Sequence, residues 1–325
     1  MTELIKKLML TSGVSGREDK IREVIRQEVS PYADEVYSDP VGNLIAHKKG
    51  SGKRIMFAAH MDEIGYFVTS IDKNGIVYVG NVGGINTLAA AYGTVISENG
   101  VLGVIVPTET KGLPKCEDMR VDIGAKTKAQ AETRVKIGDY FVHTPSFKRL
   151  SGTKYIGRPF DDRIGCAILI ETLKRVKNGN NDLYFVFTVQ EEVGSRGAKP
   201  ATYHIEPDIG IALDVTMVGG KPAGPEMDVR LGAGTAIKIK DSSVICSYEI
   251  VARMRELCKE DKIRYQDELL IAGGTDTSVM QVAKCGCAAG AISIPTAYIH
   301  STNEMIDISD VKESVRLAVA IAERI

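Results

Sequence analysis

The sequence has 325 residues, of which 44% are hydrophobic, enough for a large core and for more than one domain. Its 41 Lys and Arg residues nearly balance its 42 Asp and Glu residues, so the net charge of -1 argues against nucleic acid as a partner. No apolar run is long enough for a membrane span and the N-terminus has no signal-peptide pattern, so we expect a cytoplasmic protein without a membrane partner. The six cysteines form no CxxC pair, and we expect reduced, buried thiols, Cys285 and Cys287 included.

The first part of the chain predicts two helices followed by three strands. In chain order these are helices at 3–10 and from Ser15 to Ser30, and strands at 36–37, 44–46 and 55–59. The second helix begins with a capping-box spacing, Ser15 to Glu18, and its apolar residues recur at helical intervals. The third strand is apolar throughout and leads directly into His60.

Residues 68–155 have a different pattern of residue types from the segment that precedes them. Short β-rich runs alternate with glycines, a pattern that predicts a small β-barrel, with a sandwich as the alternative. One short helix is predicted at 127–133. Because this segment carries no acid/base cluster, we interpret it as an inserted domain for assembly or substrate gating.

After residue 158 the pattern of alternating strands and helices returns. The predicted elements are helices at 162–177, 244–258 and 310–324, the last capped by Ser309, and strands at 183–189, 209–213 and 288–294. This alternation predicts an α/β fold with a mostly parallel central sheet covered by helices. We therefore expect a discontinuous catalytic domain, 1–67 and 156–325, interrupted by the insert.

Potential ligands and acids follow several of these strands or precede a helix. They are His60 and Asp62, Asp161 and Asp162, Glu191 and Glu192, Asp214, and His300. Each one alone has an ordinary explanation as a helix cap, a solvated strand end or a hydrogen-bonded histidine. Those explanations do not account for all of them together, because the carboxyl ends of parallel strands meet at one edge of a sheet and would bring these residues to one place.

The types of these residues predict a metal site that also binds water. Two histidines and several carboxylates without a thiolate suit a catalytic divalent ion rather than a structural one. The surplus of carboxylates suggests two ions about 3.5–4 Å apart that share one carboxylate. Since neighbouring side chains diverge, one of Glu191 and Glu192 can bind metal while the other acts as general base.

Six segments of the chain resemble the di-metal tetrahedral or glutamyl aminopeptidase family, whose members have also been labelled cellulase or endoglucanase. They are AAHMDEIG (58–65), RPFDDRIGC (158–166), VQEEVGSRGA (189–198), ALDVT (212–216), AGGTDTS (272–278) and IHSTNEM (299–305). The motifs occur in the family's order along nearly the whole chain. The resemblance implies a zinc-exopeptidase-like fold with an inserted barrel, and Thr277 departs from the family's usual small Ala.

The resemblance also implies a role for each candidate residue. His60 and Asp214 would bind one metal ion, Glu192 and His300 would bind the other, and Asp161 would bind both. The peptide bond between Asp161 and Asp162 would be cis. Glu191 would be the general base and Asp62 would orient His60. The ions would be zinc, with cobalt or manganese as alternatives, and a hydroxide bridging them would attack the peptide bond. The expected substrates are short peptides cleaved after their N-terminal residue, and the expected assembly is a homo-oligomer, with a tetrahedral dodecamer as one form.

Three alternatives differ from this hypothesis in chemistry. A glycosidase would use Glu191 and Glu192 without metal, flanking the scissile bond about 5–9.5 Å apart. A di-metal deacylase would cleave N-acyl amino acids, and a non-catalytic assembly protein would be expected to have lost site residues. The sequence leaves the preferred N-terminal residue, whether acidic, basic or apolar, undetermined.

Overall fold

The computed structural model describes residues 1–108, 112–177, 179–220 and 227–325. The strands are β1 (Glu35–Ser38), β2 (Leu44–Lys48), β3 (Arg54–His60), β4 (Gly65–Ile71), β5 (Val77–Val82), β6 (Thr94–Ser97), β7 (Leu102–Pro107), β8 (Met119–Asp122), β9 (Tyr140–His143), β10 (Ser146–Ser151), β11 (Lys154–Arg158), β12 (Asp182–Thr188), β13 (Ile209–Thr216), β14 (Thr235–Lys240), β15 (Tyr265–Leu269), β16 (Ala288–Ala297) and β17 (Glu304–Asp307). The helices are α1 (Thr2–Met9), α2 (Asp19–Val29), α3 (Thr87–Ala90), α4 (Lys128–Glu132), α5 (Arg163–Arg175), α6 (Ala198–Ile205), α7 (Tyr248–Glu260), α8 (Thr277–Gln281) and α9 (Ile308–Arg324), with a 3-10 helix at Cys116–Asp118.

A large mixed sheet forms the centre of the molecule. Over the described residues it has 11 strands in the order β1-β2-β12-β3-β13-β16-β17-β11-β10, with β14 pairing β16 and β15. The central strands β12, β3, β13 and β16 are parallel, whereas the strands that flank them on both sides pair antiparallel. The predicted helix-covered α/β sheet is confirmed, and its parallel part is the part that carries the site.

Helices cover both faces of this sheet because successive residues of a buried strand point to opposite sides. In β3, Ile55 and Phe57 pack into a core shared with α1, α2, α5, α7 and α9. Met56 and Ala58 pack on the other side, with α6 and α8. A strand buried on both faces needs a continuous apolar run, which is what the sequence of β3 provides.

The insert forms a closed antiparallel barrel, β4-β5-β8-β7-β6-β9, around its own apolar core. The predicted small β-barrel is confirmed. Its strands begin at Gly65 and end at His143, so they do not coincide with the predicted boundaries at 68 and 155. Strands β10 and β11 pair with β17 in the large sheet. Their composition is that of any exposed hairpin and does not tell which sheet they join.

Two predicted helix caps are wrong. Helix α2 begins at Asp19 with Glu18 as its N-cap residue, so Ser15 does not cap it. Helix α9 is capped by Asp307, whose carboxylate accepts a hydrogen bond from Ser309 N at 2.9 Å. A carboxylate thus caps α9 where the sequence pattern predicted a hydroxyl, whereas the side chain of Glu18 makes no capping hydrogen bond at α2.

Two further expectations concern the thiols and the membrane. All six cysteines are free, but Cys285 is exposed and Cys287 only half-buried, so the expectation that both are buried is wrong. None of the helices in the described ranges is long and apolar enough to cross a membrane.

Candidate functional site

Three neighbouring parallel strands carry candidate residues to one edge of the sheet. β3 ends at His60, whose backbone lies opposite Thr188, the last residue of β12. Residues 190–192 follow directly after β12, and Asp214 lies near the end of β13, on the other side of β3. The order β12-β3-β13 thus brings together side chains that are far apart in sequence.

Asp161 and His300 reach the same place from loops. Asp161 precedes helix α5, and its neighbour Asp162 caps that helix by accepting a hydrogen bond from Gly165 N at 3.0 Å. The peptide bond between Asp161 and Asp162 is cis, as the resemblance implies. His300 follows β16 and has a left-handed backbone with φ of 60°.

His60, Asp161 and Asp214 form a group that we call the first donor set. The Nε2 atom of His60 lies 3.1 Å from Asp161 Oδ1 and 3.8 Å from Asp214 Oδ1, and all three residues are buried. The Nδ1 atom of His60 lies 3.2 Å from the backbone carbonyl oxygen of Asp62. Since a carbonyl only accepts, Nδ1 carries a proton, and Nε2 is the ring nitrogen that faces the carboxylates and would be available to a metal ion.

Asp161, Glu192 and His300 form the second donor set. The Nε2 atom of His300 lies 3.2 Å from Asp161 Oδ2 and 3.2 Å from Glu192 Oε2. Asp161 therefore belongs to both sets and turns one oxygen toward each. A carboxylate shared in this way is what two metal ions about 3.5–4 Å apart require.

The charges of these residues fit two divalent cations. Burial raises the pKa of Asp214 well above its ordinary value; His60 lowers it, and the negative charges of Asp162 and Asp161 raise it further. Burial also raises the pKa of Asp161, but the hydrogen bonds to His300 and His60 outweigh burial and keep that pKa low. Buried carboxylates in such number need compensating positive charge. Imidazole and carboxylate are the donors that zinc, cobalt and manganese accept.

Glu191 lies beside the first donor set without belonging to either set. Its Oε2 atom is 4.0 Å from His60 Nε2, and its Oε1 atom accepts a hydrogen bond from Ser195 Oγ at 3.2 Å. Burial raises the pKa of Glu191 well above its ordinary value; His60 lowers it and Asp214 raises it. Glu191 and Glu192 thus face different partners, as expected for neighbouring side chains that diverge.

Asp62 has more contacts than orienting His60 would need. Its Oδ1 atom lies 3.5 Å from His60 Nδ1 and also accepts a hydrogen bond from Glu191 N at 3.0 Å. Its Oδ2 atom accepts from Glu192 N at 3.2 Å and from Ser15 Oγ at 2.6 Å. The side chain that sequence analysis placed behind the histidine therefore also fixes the loop with both glutamates.

Glu18 extends this network to Gln190, the residue before Glu191. Its Oε1 atom accepts hydrogen bonds from Gly16 N at 2.7 Å and from Gln190 N at 3.2 Å. Burial and the charge of Asp62 raise the pKa of Glu18 to about 7. Sequence analysis assigned Ser15 and Glu18 to a helix cap, and only the fold reveals that they support the 190–192 loop.

Glu304 is a residue of the site that sequence analysis missed. Its carboxylate is fully buried and accepts hydrogen bonds from Asp161 N at 3.2 Å and His300 N at 3.2 Å, besides Phe160 N at 2.5 Å. The guanidinium of Arg158 lies 3.4 Å from its Oε1 atom. One side chain thus holds the backbone of two members of the second donor set. The only signal in the sequence was an acidic residue inside the motif IHSTNEM.

Asp276 was missed for the same reason. It is buried, and its Oδ2 atom accepts a hydrogen bond from Thr188 Oγ1 at 2.6 Å. Burial raises its pKa to about 6, although the bond to Thr188 lowers it. Its negative charge acts on Glu191 and Asp214. The acid in AGGTDTS is therefore part of the electrostatic surroundings of the site.

A cavity of about 730 Å³ opens over both donor sets. Its walls come from the large sheet, from the loop after β16, and from the segment of the barrel between β5 and β6. Members of both donor sets and Glu191 line it. The candidate residues therefore face a space that is large enough for a small peptide.

Comparison with known proteins agrees with this architecture. The sequence pattern described as M42 glutamyl aminopeptidase matches residues 42–317. A protein of Acetivibrio thermocellus, provisionally assigned as an aminopeptidase, is 44% identical over 327 residues, which cover 98% of this chain and 97% of that protein.

Solved structures also superpose over the whole chain. Aminopeptidase APDkam598 from the archaeon Desulfurococcus kamchatkensis has a TM-score of 0.95 and 34% identity, covering 100% of this chain and 94% of the other. The TET1 peptidase of Pyrococcus horikoshii, which can assemble into a tetrahedron or a large octahedral shell, has a TM-score of 0.89 and 33% identity over 99% of each chain. Family pattern, sequence identity and fold coincide over most of the chain, which therefore belongs to the M42 glutamyl aminopeptidase family.

Proposed function

We propose that this protein is a metal-dependent aminopeptidase that removes the N-terminal residue of short peptides. The observation that carries the proposal is the position of Asp161, which is shared between two donor sets at the floor of the cavity. A shared carboxylate with an unshared glutamate beside it is the arrangement that metal-assisted hydrolysis of an amide needs.

Each donor set would hold one divalent cation. His60, Asp161 and Asp214 would bind the first, and Asp161, Glu192 and His300 the second, with zinc as the expected ion and cobalt or manganese as alternatives. Such ions, when bound, would act as Lewis acids toward the scissile carbonyl and would lower the pKa of a water molecule at the site toward about 7.

Glu191 is the proposed general base. It takes a proton from the attacking water and returns one to the leaving amine. In the metal-free protein, burial raises the pKa of its carboxyl group, His60 lowers it and Asp214 raises it further. The assignment rests on position, because Glu191 lies 4.0 Å from His60 Nε2 and belongs to neither donor set. The hydroxyl of Ser195 and the backbone bond to Asp62 hold Glu191 in place.

The carboxylates that line the cavity favour a substrate with a free α-amine. Bound ions would compensate the charges of Glu192 and Asp214, but Glu191 belongs to neither donor set and leaves a carboxylate facing this space that can bind a positively charged amine. A di-metal deacylase would instead bind an N-acyl group that lacks this charge. The glycosidase alternative is not favoured, because Glu192 lies 3.2 Å from His300 within a donor set and is not free to act as half of an acid–base pair.

The protein is further proposed to assemble as a homo-oligomer. The supporting observation is the likeness to TET1 of Pyrococcus horikoshii, a protein that forms closed shells. A tetrahedral dodecamer is the form that we expect, and size-exclusion chromatography with light scattering tests it.

A pair of variants tests the catalytic assignment. Glu191→Gln should retain both metal ions and lose roughly 10²–10⁴ in kcat, the usual contribution of a general base. Glu192→Gln, one residue away, should instead lower the metal content, because it removes a carboxylate from the second donor set. Elemental analysis and peptide hydrolysis separate the two effects. A metal-loaded Glu191→Gln protein with normal turnover would remove Glu191 from this role.

The same assay tests the reaction class. A peptide with a free N-terminus should be cleaved and its N-acetylated form should not. Cleavage of the acetylated form alone would identify a deacylase, and sugar hydrolysis that survives a chelator would identify a glycosidase.

A further inference from the structure

The inserted barrel supplies part of the active-site wall. Four residues between β5 and β6 line the cavity: Gly84, Asn86, Leu88 and Ala89. They lie on and just before the short helix α3. Neither the family pattern nor the donor sets assign a role to this segment.

This segment lies directly against the second donor set. Gly83 has a left-handed backbone with φ of 74°, and a Cβ atom placed on it would lie 3.3 Å from Glu192 Oε2. A Cβ atom on Gly84 would lie 3.2 Å from His300 Nδ1. Since only glycine leaves this space free, the barrel segment approaches the donor residues as closely as its backbone permits.

Helix α3 presents an apolar side chain at the rim of the cavity. The side chain of Asn86 caps the helix by accepting a hydrogen bond from Ala89 N at 3.1 Å. Leu88 is 67% exposed although it lines the cavity. A fixed, exposed leucine beside a catalytic centre offers apolar area that a bound substrate can remove from water.

The cavity has a closed side and an open side. On the side of the large sheet its walls include the buried residues Val218, Lys238 and Ala297. The exposed residues of its rim include Leu88 of the barrel segment and Tyr298 and Asn303 of the loop after β16. An aminopeptidase binds one residue before the cleaved bond and a chain of any length after it. The closed side therefore suits the N-terminal residue and the open side suits the remainder of the peptide.

We propose that Leu88, with Ala89, binds the side chain of the residue that follows the cleaved bond, and that the enzyme favours peptides with an apolar residue there. This inference rests on the proposed aminopeptidase function and adds a binding site for the leaving peptide. It also gives the barrel a role in substrate selection.

The test uses three tripeptides that differ only at the second position, where they carry leucine, glycine or aspartate, with alanine at the third. Their common N-terminal residue is the one that the wild type removes fastest from a panel of acidic, basic and apolar aminoacyl amides. In the wild type, kcat/KM should be roughly fivefold to tenfold higher with leucine than with glycine at that position, the lower range for an apolar contact in a specificity pocket. In Leu88→Ala this ratio should fall to about twofold or less, and Leu88→Met should restore it. Leu88→Asp should lower the rate most for the aspartate peptide, because like charges then face each other.

Leu102→Ala is the matched control. Leu102 is also an exposed leucine of the barrel, 60% accessible on β7, and does not line the cavity, so its removal should leave the ratio unchanged. An unchanged ratio in Leu88→Ala, an equal loss in Leu102→Ala, or a wild type without preference would overturn the inference. Wild-type hydrolysis of the aminoacyl amide panel, whose members have no second residue, separates this failure from failure of the proposed function, since an enzyme inactive on the whole panel would contradict the function itself.

Discussion

Asp62 and Glu191 are joined through the backbone: the N–H group of Glu191 donates to Asp62 Oδ1 at 3.0 Å. The other oxygen of the same carboxylate accepts the N–H group of Glu192. The proposed base and a proposed metal ligand are thus fixed by one buried side chain just beyond the end of the neighbouring strand β3. This position explains why a residue that binds no substrate is expected to matter for turnover.

Asp62→Asn should lower metal affinity or kcat roughly 10- to 100-fold, the usual effect of changing a group that orients metal ligands. An amide presents one acceptor and one donor where the structure needs two acceptors, so one backbone N–H group loses its partner. Metal titration and steady-state kinetics measure the effect. Asp72→Asn is the control, since Asp72 also accepts two backbone N–H groups, from Asn74 and Ile76, but in a turn of the barrel. Equal losses in both variants would contradict the assignment.

Glu304→Gln should weaken metal binding at the second donor set more than at the first. The reason is that Glu304 holds the backbone of Asp161 and His300. Stepwise metal titration, followed by the visible spectrum of added cobalt, should show one weakened equivalent. Asp310→Asn provides the comparison, because Asp310 is a buried carboxylate that accepts Gly232 N and Gly234 N away from the site. Its variant should lose stability while binding both equivalents normally.

Gly83→Ala should impair the protein more than Gly100→Ala. Both glycines have left-handed backbones, at φ of 74° and 81°, so each substitution carries a conformational penalty of about 1–2 kcal/mol. At Gly100 nothing lies within 4 Å of the added methyl, whereas at Gly83 it would lie 2.6 Å from Ile64 Cγ2. Thermal unfolding and metal content, measured for both, should show a larger stability loss and a metal defect only for Gly83→Ala. Equal losses of stability and unchanged metal content in both variants would show that the close approach of Gly83 to the donor residues does not affect metal binding.

Metal removal should make stability depend on pH in a defined direction. Burial raises the pKa of Glu191, Asp214 and Asp276 in the metal-free folded state, the last to about 6. Above their ordinary values near 4, the folded state then binds more protons than the unfolded state, so stability falls as the pH rises. For Asp276 this loss runs through its folded-state pKa of about 6 and levels off above it. Bound cations take the place of these protons and remove that part of the dependence.

The measurement is the difference in melting temperature between metal-loaded and chelator-treated protein at pH 5, 6, 7 and 8. The difference should widen as the pH rises. A difference that stays constant or narrows would indicate that the carboxylates do not carry the metals' contribution to stability.

The central part of the fold was predictable because it depends on local pattern. An apolar run long enough for a buried strand, such as the one ending at His60, predicts both a central strand and a functional strand end. The glycine-rich segments predicted the barrel for a similar reason. The candidate ligands could be proposed because they stand after such strands or before a helix, and the resemblance to a known family implied how they divide into two donor sets.

The supporting residues could not be found in this way, because their partners are set by the fold alone. Ser15 and Glu18 form a plausible cap in sequence, yet their side chains reach Asp62 and Gln190, far along the chain. Strands β10 and β11 have no sequence feature that indicates whether they join the large sheet or the barrel. Strands β14 and β15 and helix α6, which sequence analysis did not predict, are short and mixed in polarity.

The contact of Gly83 and Gly84 with Glu192 and His300 has a consequence for how such enzymes can change. A barrel that touches the donor residues cannot be deleted, or exchanged with that of a relative, as if it were an independent module. A graft that joins foreign barrel strands after Ile64 would have to reproduce the two glycines and the rim helix behind them. Evolution of new substrate preferences is therefore expected to couple changes in the barrel segment to changes in the loop after β16.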